Sequence, residues 1–320
     1  MANYAAFALL LWVGATSAQT PPYPTKPVRL IVPFSAAGPT DLVARLIAPK
    51  LTEALGQPFI VDNRVGAGGN IGMAAVAKAA PDGYTVLVAG SSFPVNASLF
   101  AEPGYDPIKD FAPISNLAVT PMIIVANPAL AARSIADIVK LARSPAARLS
   151  LASPGIGTLP HLLAERWNRA DGIALELIHY KGGAQSTTSV VSGENAIGMG
   201  AVSSYMGLIR GGKVVPIAVT SPRRLDVLPD TPTVAEAGQP LLEAEALVGG
   251  LLVPAATSKE IVAILHREVV KVMQSPEVRD RLRAVGVGVL ASTPDEFAAE
   301  LRSEVARWGR VIREASIKPN

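Results

Sequence analysis

Two short segments combine the residue types that can hold an anion without a cation. The first is Ser35-Ala36-Ala37-Gly38-Pro39-Thr40-Asp41, between the apolar run Val28–Phe34 and an apolar-periodic run beginning at Leu42. The second is Ser153-Pro154-Gly155-Ile156-Gly157-Thr158, between Leu149–Ala152 and a run through Leu162, Leu163 and Trp167. Glycine lets backbone approach a bound group closely, hydroxyls add donors, and a helix start leaves unpaired N–H groups at the positive end of its dipole. Phe34, Ala37, Gly38 and Thr40 are the candidates on one segment, and Ser153, Gly155, Gly157 and Thr158 on the other. Asp41 reads as a dipole and loop-ordering group, because a carboxylate repels an anion. On separate lobes, the two half-sites would form a clamp.

Further candidates are weaker. Ser91 and Ser92 follow an apolar strand, and ligands favour the carboxyl ends of parallel strands; local capping is the competing role. His161 falls on the first turn after the second segment, where a partner for a backbone carbonyl is preferred to a ligand contact. In Tyr180-Lys181-Gly182-Gly183, Lys181 either attracts anions or is a solvated loop charge. The glycine run Gly66–Gly72 lacks glycine at the sixth position of G-x-G-x-x-G, where Ile71 stands, and reads as a sharp turn that lets a small-residue helix dock.

Catalytic chemistry finds little support. The three histidines, His161, His179 and His266, show no H-x-x-x-H spacing, and no G-x-S-x-G elbow occurs. There is no cysteine, which removes disulfides, thiol catalysis and a lipid-anchored cysteine. Net charge is +3 without a Lys/Arg cluster interleaved with aromatics, so nucleic-acid binding has no electrostatic footprint.

The elements that must position the two segments form a β-α series. At 320 residues, two lobes with their own cores are expected. The spacing predicts strands at 28–34, 59–61 and 84–89 with helices at 42–55 and 73–80; Pro49 should kink or shorten the first helix. A second series has strands at 149–152, 175–180, 196–199 and 214–220 with helices at 159–169 and 184–192. The apolar runs 114–126 and 247–253 straddle it. Helices at 259–274, 276–285 and 294–315, with a short strand at 287–290, complete the chain. Repeated β-α-β order implies an α/β fold with a parallel sheet covered on both faces, and the two crossings describe a hinged pair of lobes. At the start, Ala5–Val13 and the small residues Thr16 and Ala18 suggest a signal peptide at 1–18, hence export. That apolar run is about half of what a bilayer span needs.

Read together, Phe34…Gly38…Asp41, Asn63-Arg64-Val65-Gly66-Ala67-Gly68-Gly69-Asn70-Ile71-Gly72, Ala80-Pro81-Asp82-Gly83-Tyr84, Tyr105-Asp106-Pro107…Asp110-Phe111, Ser153…Gly155-Ile156-Gly157-Thr158…His161-Leu162, Tyr180-Lys181-Gly182-Gly183 and the run Leu228–Gly238 stand in one order. In this order they closely resemble the Bug family, extracytoplasmic solute receptors of tripartite tricarboxylate transporters. The resemblance covers nearly all of the chain after the expected leader.

The resemblance implies a type II, Venus-flytrap periplasmic-binding-protein fold with two crossover strands, residues 23–125 plus 243–320 forming lobe 1 and 126–242 lobe 2. It implies a periplasmic monomer that closes on a small carboxylate and delivers it to membrane transporter subunits, with no cofactor, metal or nucleic acid. Docking on a membrane kinase as a sensor is the alternative, and a hydrolase the more remote one. The carboxylate should meet backbone N–H groups and hydroxyls of Phe34–Asp41 and Ser153–Thr158. With few cleft cations, a mono- or dicarboxylate suits the chain better than a tricarboxylate. Three departures from the family pattern bear on ligand range: Ala37-Gly38-Pro39 where two glycines and a non-proline are usual, Ala196 where Asp is common, and Val248 where Trp is common.

Overall fold

Apolar runs become strands, and the periodic runs between them become helices. The computed structural model describes residues 23–144, 148–315 and 317, so the expected leader lies outside the described residues. The first series is β1 (Val28–Val32), α1 (Pro39–Leu55), β2 (Phe59–Asn63), α2 (Asn70–Ala77), β3 (Thr85–Gly90), α3 (Ser92–Leu99) and β4 (Phe111–Asn116). The long β5 (Ala118–Ala126) leads into α4 (Ile135–Ala142), β6 (Ser150–Ser153), α5 (Leu159–Asp171), β7 (Glu176–His179), α6 (Gly183–Ser192), β8 (Ile197–Ala201), α7 (Val202–Arg210) and β9 (Val215–Val219). The chain returns through β10 (Glu245–Pro254), α8 (Lys259–Gln274), α9 (Pro276–Arg283), β11 (Gly288–Val289) and α10 (Pro294–Ala315).

The sheet is mixed rather than all parallel. In one lobe β1 pairs in parallel with β2 and β3, and β10 runs antiparallel to β3 and β4. In the other, β6 is parallel to β7 and β8, while β5 runs antiparallel to β8 and β9. Strands joined by a helix come out parallel. The two that cross between lobes arrive from the opposite end and reverse the direction. They meet where Val119, Thr120 and Pro121 pair with Leu247, Ala246 and Glu245, and this junction joins the lobes.

Each lobe buries both faces of its sheet. Val43, Ile47 and Leu51 of α1 pack with Leu265, Val269 and Met273 of α8 on one face of the first lobe; Met73, Val76, Phe93, Phe297 and Leu301 cover the other. In the second lobe, Ile135, Ile138, Leu162 and Trp167 lie opposite Val190, Val202, Tyr205 and Met206. Burying such side chains contributes about 1.5–3 kcal/mol each. Val95, Leu99, Trp308 and Ile312 of the first lobe join the cluster built on α5, so apolar packing also spans the cleft.

The helix α1 continues through Pro49 for all 17 residues. Arg45 and Pro49 are exposed, so the carbonyl left unpaired by proline can turn to water. Three helices, α3, α4 and α7, lie outside the sequence expectations, although Ser134 and Asp137 give α4 a capping pattern. Among the described residues, no helix is long and apolar enough to cross a membrane.

Candidate functional site

Over the junction of β5 and β10 lies a cavity of about 100 Å³, against the roughly 10–15 Å³ that a single water needs. Its floor is Thr120, Met122, Ala246, Leu247 and Val248. The first lobe adds Phe34, Ser35, Gly38, Pro39, Thr40, Gly90 and Ser91; the second adds Pro154, Thr158, Pro160, Gly182, Gly183, Thr187, Gly200, Ala201, Ser204 and Tyr205. None of these is Asp, Glu, Lys, Arg or His.

What the cavity has instead of cations is helix starts. The N-cap residues of α1, α3, α5, α6 and α7 are Gly38, Ser91, Thr158, Gly182 and Ala201, and all five line it. None has a side-chain capping bond. By contrast α4 and α8, which begin elsewhere, are capped by the Ser134 and Ser258 hydroxyls, which accept from Asp137 and Ile261 N–H; α2 and α9 start without such a cap. Each N-terminus carries about half a positive charge, concentrated in unpaired N–H groups. A desolvated anion can be held there without meeting a fixed charge.

Phe34, Gly38, Thr40, Ser91 and Thr158, all expected from sequence, come together in the cavity wall. Others stand behind it. The Asp41 carboxylate accepts from Ala37 N–H at 2.9 Å, Arg45 Nε at 2.8 Å and Asn63 Nδ2 at 2.9 Å, which orders the loop. Burial pushes Asp41 up, but these donors outweigh it and hold the group below its ordinary value. Ala37 itself is exposed, and Ser92 is buried in α3. The Gly155 carbonyl accepts the Thr158 hydroxyl at 2.6 Å. Tyr180 gives its hydroxyl to Glu194 at 3.0 Å and receives Asn195 Nδ2 at 2.7 Å; Lys181 is exposed.

His161 supports the loop through an N–H rather than a carbonyl. The Gly157 N–H donates to His161 Nδ1 at 3.1 Å, so this nitrogen is the unprotonated one. The His161 and His179 rings meet edge-on with centroids 4.5 Å apart, and His179 Nδ1 lies 2.7 Å from Ser153 Oγ. Burial, then the neighbouring His179, pushes His161 down to about 4. Burial lowers His179 as well.

Sequence reasoning singled out neither Ser35, Thr120 and Met122 nor Ser204 and Tyr205. Ser35, Thr40, Ser91 and Ser204 make no side-chain hydrogen bond to another described residue, and the buried Tyr205 hydroxyl has no partner either, so the cavity wall holds five hydroxyls without a protein partner. The available signal was in the glycines. A β-carbon on Gly200 would lie 2.9 Å from Tyr205 Cε2, so that glycine makes room for the ring. One on Gly157 would lie 2.6 Å from Asn96 Oδ1 and 2.8 Å from Leu99 Cδ2, across the cleft. Such contacts mark the lobes as closed.

The sequence model of the tripartite tricarboxylate transporter family receptor, TctC, matches residues 43–317. The chain belongs to this family. As a TctC receptor it is 33% identical over 298 residues to Protein BugT of Bordetella pertussis (strain Tohama I), covering 92% of this chain and 91% of that one. Its fold matches the periplasmic binding protein BugD with a TM-score of 0.88 at 33% identity, over 93% of this chain and all of the other. Rpa4515 of R. palustris, solved with adipate, matches with a TM-score of 0.89 at 32% identity, over 93% and 100% of the two chains. MatC of Rhodopseudomonas palustris, with bound malate, gives 0.85 at 30% identity, over 91% and 100%. This receptor has the two-lobed periplasmic-binding-protein architecture with two crossover strands.

Of the expected departures in this receptor, Pro39 and Val248 line the cavity, whereas Ala196 does not. Ala37 adopts φ 66, in the left-handed region that favours glycine. Among the described residues no group of three His, Cys, Asp or Glu is placed to hold a metal.

Proposed function

We propose that this receptor captures a small carboxylate in the cavity between residues 23–125 plus 243–320 and residues 126–242, closing about the β5–β10 junction. The observation that carries this reading is five uncapped helix N-termini converging on a cavity with no charged side chain. Gly38, Thr40, Ser91 and Thr158 meet the ligand directly; Asp41, Ser153 and His161 position the loops. The adipate and malate found in relatives are ligands of that chemistry. Closure dries the site and strengthens each hydrogen bond, and the closed form is what membrane subunits of the transporter recognise. The protein works as a periplasmic monomer, freed of its leader near Ala18, and performs no catalysis.

Mass spectrometry of small molecules released from the purified protein, paired with thermal shift against a carboxylate panel, tests the reading. A receptor gains stability with its ligand by mass action and returns it unaltered. A panel with no shift, or a ligand recovered as a product, overturns the proposal.

A further inference from the structure

A second seam joins the lobes away from the ligand cavity. Leu162, Leu163 and Trp167 of α5 share an apolar cluster with Trp308 and Ile312 of α10, so a second-lobe helix and a first-lobe helix come together there. Each brings a cation. The Arg307 guanidinium of α10 lies 5.0 Å from the centre of the Trp308 ring and pairs with Glu304 at 3.3 Å. Arg166 of α5 is close enough to feel it: burial, and after it the Arg307 charge, lower the Arg166 guanidinium from its ordinary value. Like charges on opposite lobes oppose closure, and an anion between them would offset that repulsion.

The basic character continues along α10. At about 100° per residue, Arg302, Arg307, Arg310 and Arg313 fall within about 140° of the helix circumference, and all four are exposed. Glu300 and Glu304 line instead a cavity of about 220 Å³ shared with Ser91 and Leu247. Complementing the helix dipole accounts only for Arg313, the one basic residue of the last turn. Arg166, Arg302, Arg310 and Arg313 form no ion pair with another described residue. None of the five arginines lines the ligand cavity. A basic face therefore crosses from one lobe to the other without a role in ligand capture.

We infer that this face docks an acidic segment of a membrane subunit of the transporter, with an Asp or Glu carboxylate seated between Arg166 and Arg307. Guanidinium forks match a carboxylate at two points. A side chain delivered from a fixed loop needs the spacing of the two arginines that closure sets, whereas fluid lipid headgroups follow the arginines in either state. Docking and ligand capture thus favour each other. The inference goes beyond the carboxylate-receptor reading and takes from it only the closure of the lobes.

Fluorescence anisotropy of a labelled hexaglutamate peptide with the full mature chain, at low salt, tests the inference. Arg166→Gln with Arg307→Gln is expected to weaken peptide binding at least tenfold. Lys259→Gln with Arg279→Gln removes the same charge from exposed positions on α8 and α9 and is expected to change it less than twofold. No binding by the parent, unchanged affinity in the first pair, or an equal loss in the second overturns the docking face. Phosphatidylglycerol vesicles that bind the parent and lose the first pair, where hexaglutamate does not bind, make a membrane surface the occupant and overturn the acidic segment. An acid that raises the melting temperature should also tighten hexaglutamate binding at least threefold. If such an acid leaves the peptide affinity unchanged, the coupling to closure is overturned and the receptor reading stands; if no acid stabilises the protein, that reading fails, while the two pairs of variants still decide the docking face.

Discussion

Gly182 lies against Ser35 across the cleft, so close that a β-carbon on the glycine would overlap the serine hydroxyl. One residue opens α6 and the other follows β1, so their contact exists only while the lobes are shut. Gly182→Ala should therefore weaken ligand binding at least tenfold, since closure is part of the binding free energy. Gly182 also has φ 152, so alanine strains the backbone in open and closed forms alike. Adding Ser35→Gly separates the two effects: affinity measured by calorimetry should recover in part, short of the contribution of the deleted Ser35 hydroxyl, while the melting temperature stays low. Absence of recovery would refute the seam contact as the cause.

The pairing of Gly157 N–H with His161 Nδ1 makes the second-lobe loop sensitive to acid. His161 is 3% exposed and is held at about 4, below the ordinary histidine value. The unfolded chain thus binds a proton that the folded one refuses, and stability is complete above about pH 6.5 and declines as pH falls toward 4. Those two limits set a loss of about 3 kcal/mol, at 1.36 kcal/mol per unit. Urea unfolding at pH 8, 6 and 4.5 should trace this decline. His161→Gln keeps an acceptor for the Gly157 amide and should flatten the curve, at a cost of about 1–2 kcal/mol at pH 8.

Much of the scaffold was readable in advance because burial on both faces leaves plain apolar runs. The strand expected at 84–89, the apolar run 247–253 and the helix 294–315 follow directly from periodicity, whereas the single run expected at 114–126 divides between β4 and β5. The starts of α3 and α7 were hidden for a physical reason. Ser91 and Ala201 pass from strand to helix without an intervening loop, so no turn signal separates the two elements, and the Ser91 hydroxyl makes no capping bond. Tyr180 and Lys181 illustrate a second limit. A search for polar side chains picks them out, whereas the cavity uses the adjacent Gly182 and Gly183, whose contribution is backbone.

Ala37 is a local misfit of sequence to conformation. At φ 66 an L-residue other than glycine is disfavoured by roughly 1–2 kcal/mol. Glycine recovers that strain and returns part of it through its larger unfolded-state entropy, roughly 0.5–1 kcal/mol. Ala37→Gly should stabilise the protein by about 0.5–1 kcal/mol in urea unfolding. Because the Ala37 N–H is already bound by Asp41, ligand affinity should change less than threefold.

Val248 sets the size of the apolar end of the cavity. It sits on β10 opposite Gly90, at a register shift between Val248 and Gly250, and lines the floor beside Leu247. Val248 is 3% exposed and belongs to the core cluster behind the floor, so a larger side chain there must enter the space a ligand would occupy or overpack that core. Overpacking a filled interior costs about 1–3 kcal/mol, but this position has the cavity to expand into. Val248→Trp should leave the unfolding midpoint of the free protein within a few degrees of the parent, while the longest or most branched acids that bind the parent lose at least tenfold in affinity. Short acids should be affected less. A uniform loss across all lengths would mean that the indole disturbs the junction of β5 and β10 instead, and a drop in the midpoint of the free protein would locate the damage there.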